Sequence, residues 1–145
     1  MRKVLFLLTV CLVFISYTVN ARNSSGEKTN AAVAKDFVEV LYFHGKQRCA
    51  TCIAIESNTK AAVEGNFSEQ LKKGSVVFRK IDISKSENDK IAEKYEVTWS
   101  SLFIVSHKGG KEKVENMTEF AFGNARRAPD VFKAGVVKKI NEMLK

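Results

Sequence analysis

The chain has 145 residues, of which 45% are hydrophobic and 28% charged, with a formal net charge of +8, three cysteines and one proline. That length suits one compact domain and excludes two full-sized ones. The apolar content excludes a disordered tail, three cysteines are too few for a disulfide-stapled miniprotein, and a zinc module with two ligand pairs is excluded because only two of the three cysteines are neighbours.

Met1-Arg2-Lys3 is a short basic start, and Val4 to Val19 is almost wholly apolar, interrupted by Thr9, Ser16, Tyr17 and Thr18. Val19-Asn20-Ala21 ends the run on a small residue, after which the text turns polar. A basic start, an apolar middle and a small-residue cut site describe a secretory signal peptide over residues 1–21. The competing reading is a retained membrane anchor, for which the apolar run falls short of the ~20 residues that span a bilayer. Cys11 follows Leu8-Thr9-Val10, a poor setting for lipidation. Cleavage after Ala21 takes Cys11 and two positive charges with it and leaves a basic chain with one cysteine pair. The expected location is therefore exported, periplasmic or secreted, where a disulfide can persist.

Residues 22–35 (RNSSGEKTNAAVAK) read as a flexible tether, followed by a domain over 36–145. Sequons stand at Asn23, Asn66 and Asn116, triplets that also arise by chance and matter only in a glycosylating host. Phe37 to Phe43 is β-branched and aromatic, a buried strand ended by His44-Gly45. From Ala50 to Glu64, Ile53, Ile55, Ala61, Ala62 and Val63 predict a helix, with a second segment through Phe67 and Leu71. Gly74, beside Lys72 and Lys73, stops it. Ser75 to Ile83 predicts a second strand. Ser86 to Tyr95 predicts a short helix with Ser86 as its N-cap and Asp89 at the acidic box position.

Ser101 to Ser106 predicts a third strand, and Gly109-Gly110 a tight turn into Lys111–Val114, whose alternation predicts an antiparallel edge strand. Met117 to Arg127 reads as a helix. Pro129 opens the last one, in which Phe132, Val136, Ile140 and Leu144 repeat every four residues. Strand, helix, strand, helix, strand, strand, helix, helix predicts an α/β fold: a central four-stranded mixed sheet flanked by helices.

Cys49-Ala50-Thr51-Cys52 is the motif that carries chemistry. Residues three apart in a first helical turn face the same way, with Cβ atoms ~5–6 Å apart. A disulfide needs Cα atoms within ~4.4–6.8 Å, so the pair can open and close with little backbone movement. The first cysteine meets unpaired N–H groups and a partial positive charge, which favour the reactive thiolate. The second can resolve a mixed disulfide from one turn deeper. Cys49 is therefore the candidate nucleophile and Cys52 the candidate resolving thiol. Arg48 and Lys46 would stabilise a thiolate further, and His44 is either a proton acceptor or the end of its strand. A purely stabilising disulfide is a weak competitor, because so small a ring constrains few unfolded conformations. A metal site lacks further ligands at any zinc spacing, and nothing in the text implies a cofactor.

Phe37–Gly45, Cys49–Cys52, the helix behind them, Val76–Ile83 and Tyr95–Val105, in this order, resemble the thioredoxin superfamily over roughly residues 36–145. More narrowly, YFHGKQRCATC, KYEVTWSSLFIV and EFAFGNARRAPDVF resemble small bacterial proteins of the ArsF family, also described as a nitrophenyl compound nitroreductase subunit. The resemblance implies a thioredoxin-like fold and a cis-proline just before the third strand, in a loop that pairs with substrate backbone and blocks metal capture. Here Trp99, Ser100 and Ser101 form that loop, with Ser101 in the proline's slot. A non-proline cis bond costs ~2.5–4 kcal/mol, so this peptide is expected to be trans. Family members also carry a buried acid on the first strand, where this chain has Tyr42 or Phe43. Ala50-Thr51 matches none of the familiar dipeptides between such cysteines, so the direction of electron flow is not readable.

Arg48, Trp99, Ser100 and Ser101 are the candidate substrate-binding residues. Trp99 fits a docking role or, more in keeping with a lone tryptophan, core filling under the loop. Phe120 and Phe122 are expected in the core, Arg126 and Arg127 on a solvated face. Positive charge is interleaved with acids, so no nucleic-acid patch emerges. The reading is an exported thiol–disulfide oxidoreductase or redox subunit. Its partners would be protein disulfides or dithiols, it would act as a monomer, and membrane association would follow only from a retained or lipidated leader. Its alternatives are a dithiol that binds a soft ion such as arsenite, copper(I) or zinc, favoured by Ser101 replacing the proline, and a redox-inert domain with a structural disulfide.

Overall fold

A computed structural model describes residues 36–145; the expected leader and tether, with Cys11 and Asn23, lie outside the described residues. Four strands form one mixed sheet in the order β2-β1-β3-β4. They are β1 Phe37–His44, β2 Val76–Asp82, β3 Ser101–Lys108 and β4 Lys111–Asn116. β1 runs parallel to β2 and antiparallel to β3, and β3 pairs antiparallel with β4. The helices are α1 Ala50–Asn66, α2 Ser68–Lys73, α3 Asp89–Lys94, α4 Thr118–Asn124 and α5 Pro129–Leu144.

Alternation along the central strand builds two cores. Val38, Val40 and Tyr42 face α1, α4 and α5 together with Leu102 and Ile104 of β3. Leu41 and Phe43 join Ile81, Val97, Phe103 and Val105 on the opposite face, closed by Ile91 and Tyr95 at α3. β1 and β3 are thus covered on both sides, which explains their nearly unbroken apolar text.

Local chemistry sets the ends of the elements. Phe67, with a non-helical backbone and a fully packed side chain, separates α1 from α2. Gly74 then closes α2 in the left-handed conformation (φ 71°), its N–H reaching back to Gln70 and Leu71. Gly109 and Gly110, both at positive φ, make the β3–β4 turn. Glu96, just past α3, is the one non-glycine residue at positive φ among the described residues (φ 53°). For an L residue that conformation costs roughly 1–2 kcal/mol.

Several expectations need correction. Ile53 is exposed, and α1 buries Cys52, Ile55, Thr59, Ala62 and Val63, the stripe that a 3.6-residue period selects. Ser86 does not cap a helix and Asp89 closes no capping box. Residues Ser86–Asn88 form a 3-10 turn, and α3 starts at Asp89 without a side-chain cap. The preceding turn is held instead by Asp82, whose carboxylate accepts from the Ser84 N–H and hydroxyl. β4 buries neither face, and Val114 is exposed; charged residues on an unpaired edge fit this exposure. α4 ends at Asn124 rather than Arg127. In α5 the buried stripe ends on Met143, not Leu144, because four-residue steps drift off a 3.6-residue period. Arg126 and Arg127 are exposed, as expected, whereas Phe120 and Phe122 only pack against the core and remain partly exposed.

Candidate functional site

β1 ends at His44, and the loop through Arg48 delivers the chain to the start of α1 with Cys49 as its N-cap. The backbone of Cys49 is extended (φ −74°, ψ 163°), and its Sγ accepts the Cys52 N–H at 3.1 Å. A cysteine sulfur thus fills the role usually taken by a Ser or Asp oxygen, and a thiolate there would receive one of the helix's unpaired N–H groups. No acidic residue in the first turn opposes it. The Cα atoms of Cys49 and Cys52 lie 5.1 Å apart, and their sulfurs are at disulfide distance. Cys49 is exposed and Cys52 buried at 7% exposure, the asymmetry that an attacking and a resolving thiol need.

Behind the pair lies a polar network that the sequence did not disclose. The Tyr42 hydroxyl, fully buried, donates to the Cys52 carbonyl at 2.7 Å. Burial pushes that hydroxyl above its usual pKa, against the pull of Arg48. The Arg48 guanidinium sits 5.8 Å from the Tyr42 ring centroid and pairs with Glu56. Glu56 also accepts from Lys80 of β2 at 3.2 Å. Burial works to raise the Glu56 carboxyl, but hydrogen bonds from Lys80 and Arg48 outweigh it and hold the group below the ordinary glutamate range. Glu56 stands four residues after Cys52, a spacing visible in the text; Lys80, on another element, gives no such signal.

The predicted binding residues divide between two adjoining clefts. Arg48, Trp99 and Ser100 line an open cleft of about 680 Å³ with both cysteines. Ser101 lines the neighbouring one, and its hydroxyl donates to the Trp99 carbonyl at 3.1 Å. No peptide bond among the described residues is cis, as expected for serine in that slot. Trp99 is not core filling: it is 58% exposed and stacks on Phe122 with ring centroids 5.1 Å apart. Phe122, 23 residues further along the chain, reaches the cysteine cleft because α4 lies beside the loop. His44 ends its strand; Nδ1 contacts the Gly45 carbonyl at 3.0 Å and the residue is not part of the cysteine cleft.

No protein-family model matches the chain, and no curated protein does. Solved structures similar to it include a malarial protein, at 19% identity and TM-score 0.44 over 72% of this chain and 97% of that one. An uncharacterized thioredoxin-like protein from Clostridium perfringens is similar at 13% identity and TM-score 0.49, over 75% and 73%. A thioredoxin from Thermus thermophilus is similar at 16% identity and TM-score 0.46, over 73% and 72%. The chain's own topology is more telling: a parallel first pair of strands, an antiparallel hairpin beyond them, helices on both faces and the cysteine pair at the first helix start. The chain has a thioredoxin-like fold and carries a CxxC pair suited to thiol redox chemistry.

Proposed function

We propose that the protein is an exported thiol–disulfide oxidoreductase or redox subunit that exchanges disulfides with other proteins. The observation that carries the proposal is Cys49 at the N-cap of α1, exposed, with its sulfur already accepting the Cys52 N–H. In the reducing direction the Cys49 thiolate attacks one sulfur of a client disulfide. The client S–S bond breaks, its other sulfur leaves as a thiolate, and Cys49 holds the client as a mixed disulfide. Cys52, losing its proton, attacks the Cys49 sulfur. The Cys49–Cys52 bond forms, the client leaves with both thiols reduced, and two electrons have passed from protein to client. The oxidising direction is the reverse sequence, with the client supplying the electrons.

Arg48 lines the cleft that holds both cysteines, with its guanidinium paired to Glu56, and Tyr42 holds the Cys52 carbonyl in place. Trp99 and Ser100 are proposed to meet the client at the cleft wall. The leader-like text of residues 1–21 supports export, and the resemblance to ArsF proteins supports a role as a subunit serving a larger redox enzyme. Cys49→Ser is expected to abolish insulin reduction, and Cys52→Ser to accumulate mixed disulfides. Retained activity in Cys49→Ser refutes the reading. A reduction potential well below about −300 mV points to an inert structural disulfide. Stoichiometric binding of arsenite or copper(I) by the reduced protein, with no exchange activity, favours the soft-ion alternative.

A further inference from the structure

Three clefts meet around Thr98 and Trp99. The cysteine cleft shares Trp99 and Phe122 with a second cleft of about 890 Å³. That second cleft shares Glu96 and Val97 with a third of about 500 Å³ beside α3. Together they form one groove that begins at Cys49 and passes the exposed, stacked rings of Trp99 and Phe122.

Charge changes along this groove. Arg48 is the one charged residue lining the cysteine cleft. The other two clefts contain no lysine or arginine in their walls and carry Asp89, Glu93, Glu96 and Glu119. All four are exposed. The rest of the molecule makes this unusual. Lysine and arginine outnumber acids by 24 to 16, so cations to pair with are plentiful. Among the described residues every other carboxylate side chain has an ion-pair or hydrogen-bond partner, including the exposed Glu64, Glu69, Glu87 and Asp130. These four have neither. The carboxylates left free in a basic protein are the ones beside an aromatic groove that leads to the reactive cysteine.

We propose that this groove docks an extended polypeptide that carries, beside its reactive cysteine, apolar residues and then arginine or lysine. The apolar residues lie against Trp99 and Phe122, and the cationic ones pair with Glu96 and Glu119. Arginine suits both ends of the surface, because its guanidinium stacks on indole and forks onto carboxylates. This deepens the exchange reading of the same site and rests on it. It also runs against the net charge, which would otherwise draw acidic clients.

The test uses Cys52→Ser and two peptides, each activated at its single cysteine as a mixed disulfide with 2-nitro-5-thiobenzoate. They differ only in whether two arginines or two glutamates follow a phenylalanine next to the cysteine. Cys49 attacks the peptide sulfur, the aromatic thiolate leaves with the electron pair, and its colour reports the rate. Each rate is divided by that with a small uncharged disulfide, bis(2-hydroxyethyl) disulfide. The arginine peptide is expected to react roughly five- to tenfold faster at low salt, with the ratio falling toward one at high salt. Adding Glu96→Lys and Glu119→Lys reverses the preference. Glu96→Gln with Glu119→Gln, a gentler pair should the lysines impair folding, brings the ratio close to one. Equal rates, or a glutamate preference, while the small disulfide still reacts, overturn the docking proposal and leave the exchange reading standing. Failure with all three disulfides overturns both.

Discussion

Tyr42→Phe removes a single oxygen from the floor of the site. The ring stays, with its packing in the core and the Arg48 guanidinium over it, so the perturbation removes the hydroxyl's bond to the Cys52 carbonyl together with its weaker contacts to Arg48 and Ser100. That bond is short, at 2.7 Å, and belongs to a residue with no exposed surface, so water cannot replace the lost donor. Net hydrogen bonds contribute about 0.5–1.5 kcal/mol, and a buried group left wholly unpaired costs about 1–3 kcal/mol. The Cys52 carbonyl lies in the first turn of α1 and keeps its helical partner, so it loses one of two bonds. The expected loss is therefore about 1 kcal/mol, toward the lower range. In a domain of this size that lowers Tm by about 4 °C. Urea unfolding of the oxidised proteins measures it, with the m-value unchanged because the same surface unfolds. A loss under about 0.3 kcal/mol means that the bond does not tie β1 to the helix start. A loss above about 2.5 kcal/mol means that the ring has moved as well.

Glu56→Gln tests the pair network by pH. The folded Glu56 carboxyl is held below its ordinary value of 4.5, so its pairs with Arg48 and Lys80 stabilise the fold above that value. That contribution fades as pH falls through the lowered folded pKa. The stability gap between native protein and Glu56→Gln is expected to shrink as denaturation curves are taken from pH 7 to pH 2, and a gap independent of pH contradicts the assignment. Gly135→Ala adds a Cβ only 2.4 Å from the tip of the Phe120 ring, which must retreat by about 1 Å. Overpacking costs about 1–3 kcal/mol, more than the roughly 1 kcal/mol that alanine gains over glycine in a helix. Net destabilisation is expected by thermal unfolding, turning to stabilisation when Phe120→Ala is present; a stabilised single variant refutes the packing argument.

Much of this molecule was legible in the chain because its signals are local. The strand text, the Gly109-Gly110 turn, Pro129 and the CxxC spacing each act within a few residues, where sterics and hydrogen-bond geometry decide. The apolar run of β1 implied a buried strand, and the sheet order and the two cores show it covered on both faces. The cysteine pair announced its helix start in the same way, since an N-cap and the residue three beyond it share one turn. Local text misled where a few residues of drift matter, as at Ser86, Ile53 and Leu144. There the direction of the core, not the cap or the repeat, chose the face.

What only the tertiary structure decided is which distant residues meet the cysteines. Trp99 lies in the open with Phe122 of α4 stacked on it, and no property of a lone tryptophan in the text reveals that partner. Tyr42, Glu56 and Lys80 join Arg48 because Tyr42 and Lys80 stand side by side on the paired strands β1 and β2 while Glu56 reaches Arg48 and Lys80 from α1, although each reads as an ordinary core or surface residue. Likewise the free carboxylates became visible only once every other acid could be paired. Spacing along the chain determined the chemistry of the two thiols, since that is a matter of one helical turn. Packing determined their surroundings, since contacts between elements depend on the whole sheet.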